Sequence, residues 1–200
     1  MLSQFYYNLK NFILAKTRLF TQSKYAYPFI FFVGFLEAII FPFPQEIFMI
    51  PMMAAEKSKI FKIAFISLLG SIIGAVFAYF IGMYLFETIG TYILNLYTLQ
   101  YAYDSFAQNI SANGFLYVFI GGFTPIPFKV ITLSSAGLGV GFYIFIIGSI
   151  ISRSARFFLV GFIIWKYGEP FMKIFEKRLA FFSILFVVVL ISILVILNIK

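Results

Sequence analysis

Two short stretches constrain this chain more than any others. They are Phe41-Pro42-Phe43-Pro44-Gln45-Glu46 and Phe123-Thr124-Pro125-Ile126-Pro127-Phe128-Lys129. Each is a Pro-x-Pro break inside apolar sequence, and each is followed closely by one ionisable side chain, acidic in the first and basic in the second. Proline removes an amide donor and ends a helix. Free backbone groups and charges at membrane depth persist only when buried in protein or lining a wet cavity. Two such breaks in corresponding places of two halves point to a transport site.

The surrounding sequence supplies the membrane. Of the 200 residues, 62% are hydrophobic and 11% charged, and the mean hydropathy is +1.02. That is the composition of an all-α integral membrane protein. Cysteine and histidine are absent, which excludes disulfides, a thiol nucleophile, a Cys/His metal site and histidine acid–base chemistry. No catalytic residue, metal or cofactor is expected. Asp104 is the only aspartate, so any proton chemistry at depth falls to glutamates. The net charge of +8 comes from basic residues at the ends of apolar segments. It points to an anionic lipid surface and not to nucleic acid.

Residues 1–24 carry apolar groups at Leu2, Phe5, Tyr6, Leu9, Phe12 and Ile13, spaced for an amphipathic interfacial helix. No signal-peptide cleavage site stands out. The break divides 25–55 into limbs too short to span, since the nine residues from Ile47 to Ala55 cover only ~14 Å of a ~30 Å hydrocarbon core. A re-entrant hairpin is expected there, and a second over 114–140. Full spans are expected at 61–86 and 142–165. A second interfacial helix is expected over 92–110, and a C-terminal span within 171–200.

Gly70-Ser-Ile-Ile-Gly74 recurs 78 positions later as Gly148-Ser-Ile-Ile-Ser152. These are small-residue faces for close helix contact, and they would serve a homodimer as well as a monomer. Pro42-x-Pro44 recurs as Pro125-x-Pro127. A unit of hairpin plus span crosses once, so the second copy must be inverted. Charge agrees: with a cytoplasmic N-terminus, Lys10, Lys16, Arg18, Lys24, Lys57, Lys59, Lys62, Lys166, Lys173, Lys177 and Arg178 all fall inside. Letting 25–41 span alone would put Lys57, Lys59 and Lys62 outside, and is disfavoured.

Five ionisable residues fall at membrane depth: Glu37, Glu46, Lys129, Arg153 and Arg156. Each costs about 2.5–3.5 kcal/mol on insertion scales, so pairing or a wet cavity is expected. Arg153 and Arg156, at i and i+3, can aim at one point, and the guanidinium fork suits phosphate. Lys129, Arg153 and Arg156 are the expected substrate-binding residues. Glu37 and Glu46 are expected to couple protons, and Pro42, Pro44, Pro125 and Pro127 to form the re-entrant tips. The plainer reading is that the glutamates and cations pair to lock the two halves.

At these residues the chain resembles the DedA family, also called the SNARE-associated Golgi protein or VTT-domain family, and specifically its small YqaA-like branch. The resemblance rests on Glu37-Ala-Ile-Ile-Phe-Pro-Phe-Pro-Gln-Glu46, on Gly122-Phe-Thr-Pro-Ile-Pro-Phe-Lys129 followed by Ala136-Gly137, and on Ser152-Arg-Ser-Ala-Arg-Phe-Phe158. It covers roughly residues 28–170. The family has acidic residues in its first hairpin, matched by Glu37 and Glu46. It has two basic residues around its second break. Lys129 stands where the second is expected, Gly121 and Gly122 occupy the place of the first, and Arg153 and Arg156 can supply the missing charge. The resemblance implies lipid transport across the bacterial inner membrane, of undecaprenyl phosphate or phospholipid, with proton coupling. An ion or small-anion exchanger on the same scaffold, and a non-transporting membrane scaffold, are the rival classes.

Overall fold

The computed structural model describes residues 16–41, 44–92, 100–124 and 127–168. Among these the chain is helical and contains no strand. Residues 16–22 are helical; the rest of the expected N-terminal helix and the C-terminal span lie outside the described residues. The main elements are α1 (Ala26–Ile39), α2 (Glu46–Ala55), α3 (Ile60–Leu85), α4 (Gln100–Ala112), α5 (Gly114–Phe123), α6 (Phe128–Gly137) and α7 (Phe142–Tyr167).

Local sequence accounts for most boundaries. Pro28 falls in the first turn of α1, where a missing N–H costs nothing. The helix closes with Ile40 and Phe41 both donating to the Leu36 carbonyl, just before Pro42, which disfavours helical backbone at its predecessor. Glu46 opens α2, a placement the helix dipole favours. Pro51 lies inside α2 and removes one helical hydrogen bond there. The second break separates α5 from α6 in the same way. Gly168, with φ of 54°, closes α7 in the left-handed region where glycine is favoured.

Among the described residues, two helices are long and apolar enough to cross a membrane, at Lys57–Gly90 and Phe142–Tyr167. At 1.5 Å per residue, α3 and α7 are each ~39 Å long, whereas α1 is ~21 Å and α2, α5 and α6 are each ~15 Å. The repeated small residues seat the shorter limbs on the spans. A Cβ on Gly70 or Gly74 would strike the Phe31 or Phe35 carbonyl of α1. One on Gly148 would meet Val118 of α5 at 3.0 Å. One on Gly82 would strike the Leu133 carbonyl of α6.

The apolar interior is divided in two. One cluster joins Ile30, Met49, Met53, Ile63 and Phe157. The other joins Ala38, Tyr79, Val118, Phe128, Ile131 and Phe145. On α3 the first cluster stops at Leu68 and the second begins at Ala75; on α7 the second stops at Phe145 and the first begins at Phe157. Between them lie Ser71 on α3 and Arg153 and Arg156 on α7, close to the midpoints of both long helices.

Candidate functional site

The polar layer is built by three cations that each tie the segments flanking the first Pro-x-Pro break to those flanking the second. Arg153 is fully buried. It forms an ion pair with Glu37 of α1, and its Nε donates to Ser71 Oγ of α3 at 3.0 Å. Its guanidinium lies 4.5 Å from the ring centroids of Phe128 and Phe157. Such desolvated cation–π contacts are worth about 2 kcal/mol. One side chain thus joins α1, α3 and the start of α6. The second arginine, one turn along, lies nearer the break. Arg156 Nε donates to Glu46 Oε1 of α2, and Nη1 donates to the Thr124 carbonyl at the end of α5, both at 2.5 Å. Lys129, at the start of α6, donates to the Phe41 carbonyl at the end of α1 at 3.4 Å. Thr132 Oγ1 adds a bond to the Ala38 carbonyl at 2.8 Å.

All five charged residues singled out from the sequence are therefore drawn into one layer. Glu37 pairs with Arg153 and Glu46 with Arg156, while Lys129 has no carboxylate partner among the described residues. The layer carries one positive charge in excess. Of the tip prolines, Pro44 is exposed and Pro127 precedes α6 as its N-cap; Pro42 and Pro125 lie outside the described residues. Among the described residues no group of three or more carboxylates is placed to hold a metal ion.

Sequence reasoning did not single out two residues that belong here. Ser71 was visible only as part of a packing face, yet it orients Arg153. Gln45 is fully buried, and neither its Oε1 nor its Nε2 has a hydrogen-bond partner. It packs against the bare face of Gly34, beside the Ser67 carbonyl and Ser71 N. Glu46 Oε2 and Ser67 Oγ are likewise buried without a partner. Most buried polar groups are hydrogen-bonded, so this layer holds spare capacity to take up a proton or meet a ligand. The available signal was an amide directly before the acidic residue of a break.

Short helical limbs seated on two long apolar helices, with charges gathered at mid-span, define a helical membrane protein. The chain belongs to the VTT-domain, or DedA, family, whose VTT domain model matches residues 43–166. It is 33% identical over 168 residues to an uncharacterized protein of Haemophilus influenzae, a match covering 82% of this chain and 85% of that relative. It is 32% identical over 185 residues to an uncharacterized protein of Histophilus somni, covering 92% and 95%. No solved structure matches the chain.

Proposed function

We propose that this protein moves an anionic lipid, a polyprenyl phosphate or a phospholipid, across the bilayer, with proton uptake driving release of the charged layer. The reading rests on one observation: three cations link the segments on either side of the two Pro-x-Pro breaks, and among the described residues only two of them are balanced by carboxylates. A lipid phosphate is the counter-ion such a layer lacks. Limbs shorter than the ~30 Å hydrocarbon core support two re-entrant hairpins, and the matched seating of α1 on α3 and α5 on α7 supports an inverted repeat. The basic loops support a cytoplasmic N-terminus in an inner membrane.

Lys129 and the partly exposed Arg156 receive the phosphate first. Protonation of Glu46 frees the Arg156 fork for two oxygens. Protonation of Glu37 then releases Arg153 and removes one of the links between α1 and α6, beside those of Lys129 and Thr132, so that access can alternate. The carboxylates and the phosphate compete for the same arginines, so proton uptake by the glutamates is coupled to phosphate binding.

The test is lipid movement in proteoliposomes carrying a labelled polyprenyl phosphate or phospholipid, followed at two pH values. Glu46→Gln and Arg156→Ala are expected to abolish movement with the fold intact. Normal movement by both variants would overturn the proposal, and solute flux without lipid movement would replace it with the exchanger reading.

A further inference from the structure

The end of the molecule remote from Lys57, Lys59 and Lys62 has the opposite chemistry. From Ile63 to Phe128 there is no lysine or arginine, and the only charges are Glu87 and Asp104. A cavity of about 430 Å³ opens there, between the end of α3, α4 and the end of α6. Four features of its wall favour a cation.

The first is Glu87, an exposed carboxylate on the rim with no ion-pair partner among the described residues. The second is an aromatic pair, Phe86 and Tyr103, stacked with centroids 5.0 Å apart; aromatic rings attract organic cations through their quadrupole. The third is the C-terminal end of α6, from Ala136 through Gly139, where the helix dipole is negative. The fourth is the pair Gln108 and Ser111, whose side-chain oxygens can accept hydrogen bonds from an N–H donor.

The wall is also shaped for its rings. After Leu85 the helix widens into a π turn over Phe86–Gly90, a distortion often found at functional sites. A Cβ on Gly137 would lie 2.9 Å from the Phe86 ring, and one on Gly90 would lie 2.7 Å from it. Both glycines leave room for the Phe86 side chain. Tyr84 and Tyr92, two residues before and after the π turn, are each 66% exposed, as tyrosines at headgroup level are.

We infer that this cavity binds an organic ammonium group, presented at the membrane surface by a zwitterionic lipid headgroup. It is a second site, separate from the mid-span layer, and does not depend on the transport reading.

The experiment titrates purified full-length protein in detergent with dihexanoyl-phosphatidylethanolamine, using dihexanoyl-phosphatidylglycerol and free ethanolamine as the other arms. The ethanolamine lipid is expected to bind at the cavity through its ammonium group, whereas the glycerol lipid, which lacks that group, reaches only the mid-span layer and is indifferent to Glu87→Gln. Glu87→Gln should weaken binding roughly tenfold, because it removes a charge-assisted contact. Tyr103→Leu should weaken it about threefold through the ring. Glu46→Gln, in the mid-span layer, should leave it unchanged. Free ethanolamine binding as tightly as the lipid would keep the ammonium site and place its ligand in solution. Weakening of the glycerol lipid by Glu87→Gln to the same extent, or unchanged affinity for the ethanolamine lipid in both Glu87→Gln and Tyr103→Leu with normal circular dichroism, would overturn the inference.

Discussion

Arg153 and Arg156 stand three residues apart on α7 and each holds a glutamate from the first hairpin, yet Arg153's side chain is 1% exposed and Arg156's is 19%. The chemistry is the same and the surroundings differ. Arg153 is closed in by two rings, a serine and a carboxylate, so nothing can reach it until Glu37 lets go. Arg156 spends one N–H group on a backbone carbonyl at the break and another on Glu46, whose second oxygen is unbonded. The difference sets similar pairs apart: the inner one ties α1 to α7 out of reach of solvent, and the outer one, partly exposed, is the pair the proposed transport would open first.

The largest expected effect breaks the inner pair. Arg153→Ala leaves the Glu37 carboxylate buried without its partner, at a cost of about 3–5 kcal/mol. Replacing both members, Glu37→Leu with Arg153→Met, should recover most of that loss, because an apolar pair of similar volume needs no desolvation. Thermal unfolding of the three purified variants in one detergent checks this. If Arg153→Ala melts with the parent chain, the inner pair is not a lock and the contrast with Arg156 collapses.

A smaller change tests whether the two pairs communicate. Gln45 lies between them, next to Glu46 in sequence and beside Ser71, which holds Arg153. A buried amide without partners is a cost to the fold of about 1–3 kcal/mol. Gln45→Leu is therefore expected to raise stability by about 1 kcal/mol and to slow lipid movement, since the amide is then absent when the pairs open. A more stable protein that transports normally would show that the pairs act independently. Glu46→Gln sits lower still on the stability scale. It keeps a hydrogen-bond acceptor for Arg156 and should cost less than about 1 kcal/mol, while abolishing movement. A loss of stability as large as that of Arg153→Ala would make the outer pair a second lock.

How much of this was legible follows from what each feature depends on. The breaks were legible because proline acts locally: the limbs end at Ile39 and Phe123 and resume at Glu46 and Phe128, as the two Pro-x-Pro stretches dictate. The small-residue faces were legible because a glycine four residues from another leaves a bare stripe whatever the fold. The five charges were legible as a group because their cost at membrane depth forces them together. Which glutamate meets which arginine was not, since α2 could be offered either cation and only the rotation of α7 decides. Gln45 was hidden for the same reason: its burial depends on Gly34 and Ser67, on two other helices. The π turn over Phe86–Gly90 left no mark that sequence reasoning recognised.

A third arginine–glutamate pair sets the lower end of the comparison. Arg18 Nε lies 3.6 Å from Glu56 Oε2, with the arginine side chain 62% exposed. In water such a pair is worth little, and Glu56 relies instead on hydrogen bonds. Gln22 Nε2 donates to its Oε2 at 2.8 Å and Ser58 Oγ to its Oε1 at 2.9 Å. These bonds, the Gln22 one foremost, hold the Glu56 carboxyl below its ordinary value of 4.5. A carboxyl held low stabilises the folded form only while it is ionised. Its contribution is therefore complete above pH 4.5 and is lost as the pH falls below that value. The expected outcome is local: residues 16–22, tied to the first hairpin through Gln22 and through Lys59 Nζ to the Thr21 carbonyl, loosen on acidification before the core does. Hydrogen exchange of that segment at pH 6 and pH 3.5 measures it, with Glu56→Gln reproducing part of the acid effect at pH 6. An unchanged protection factor, the exchange rate taken relative to the intrinsic rate at the same pH, in both would mean that burial of Thr21, and not the Glu56 bonds, seats the segment, leaving the graded series of pairs with only its two mid-span members.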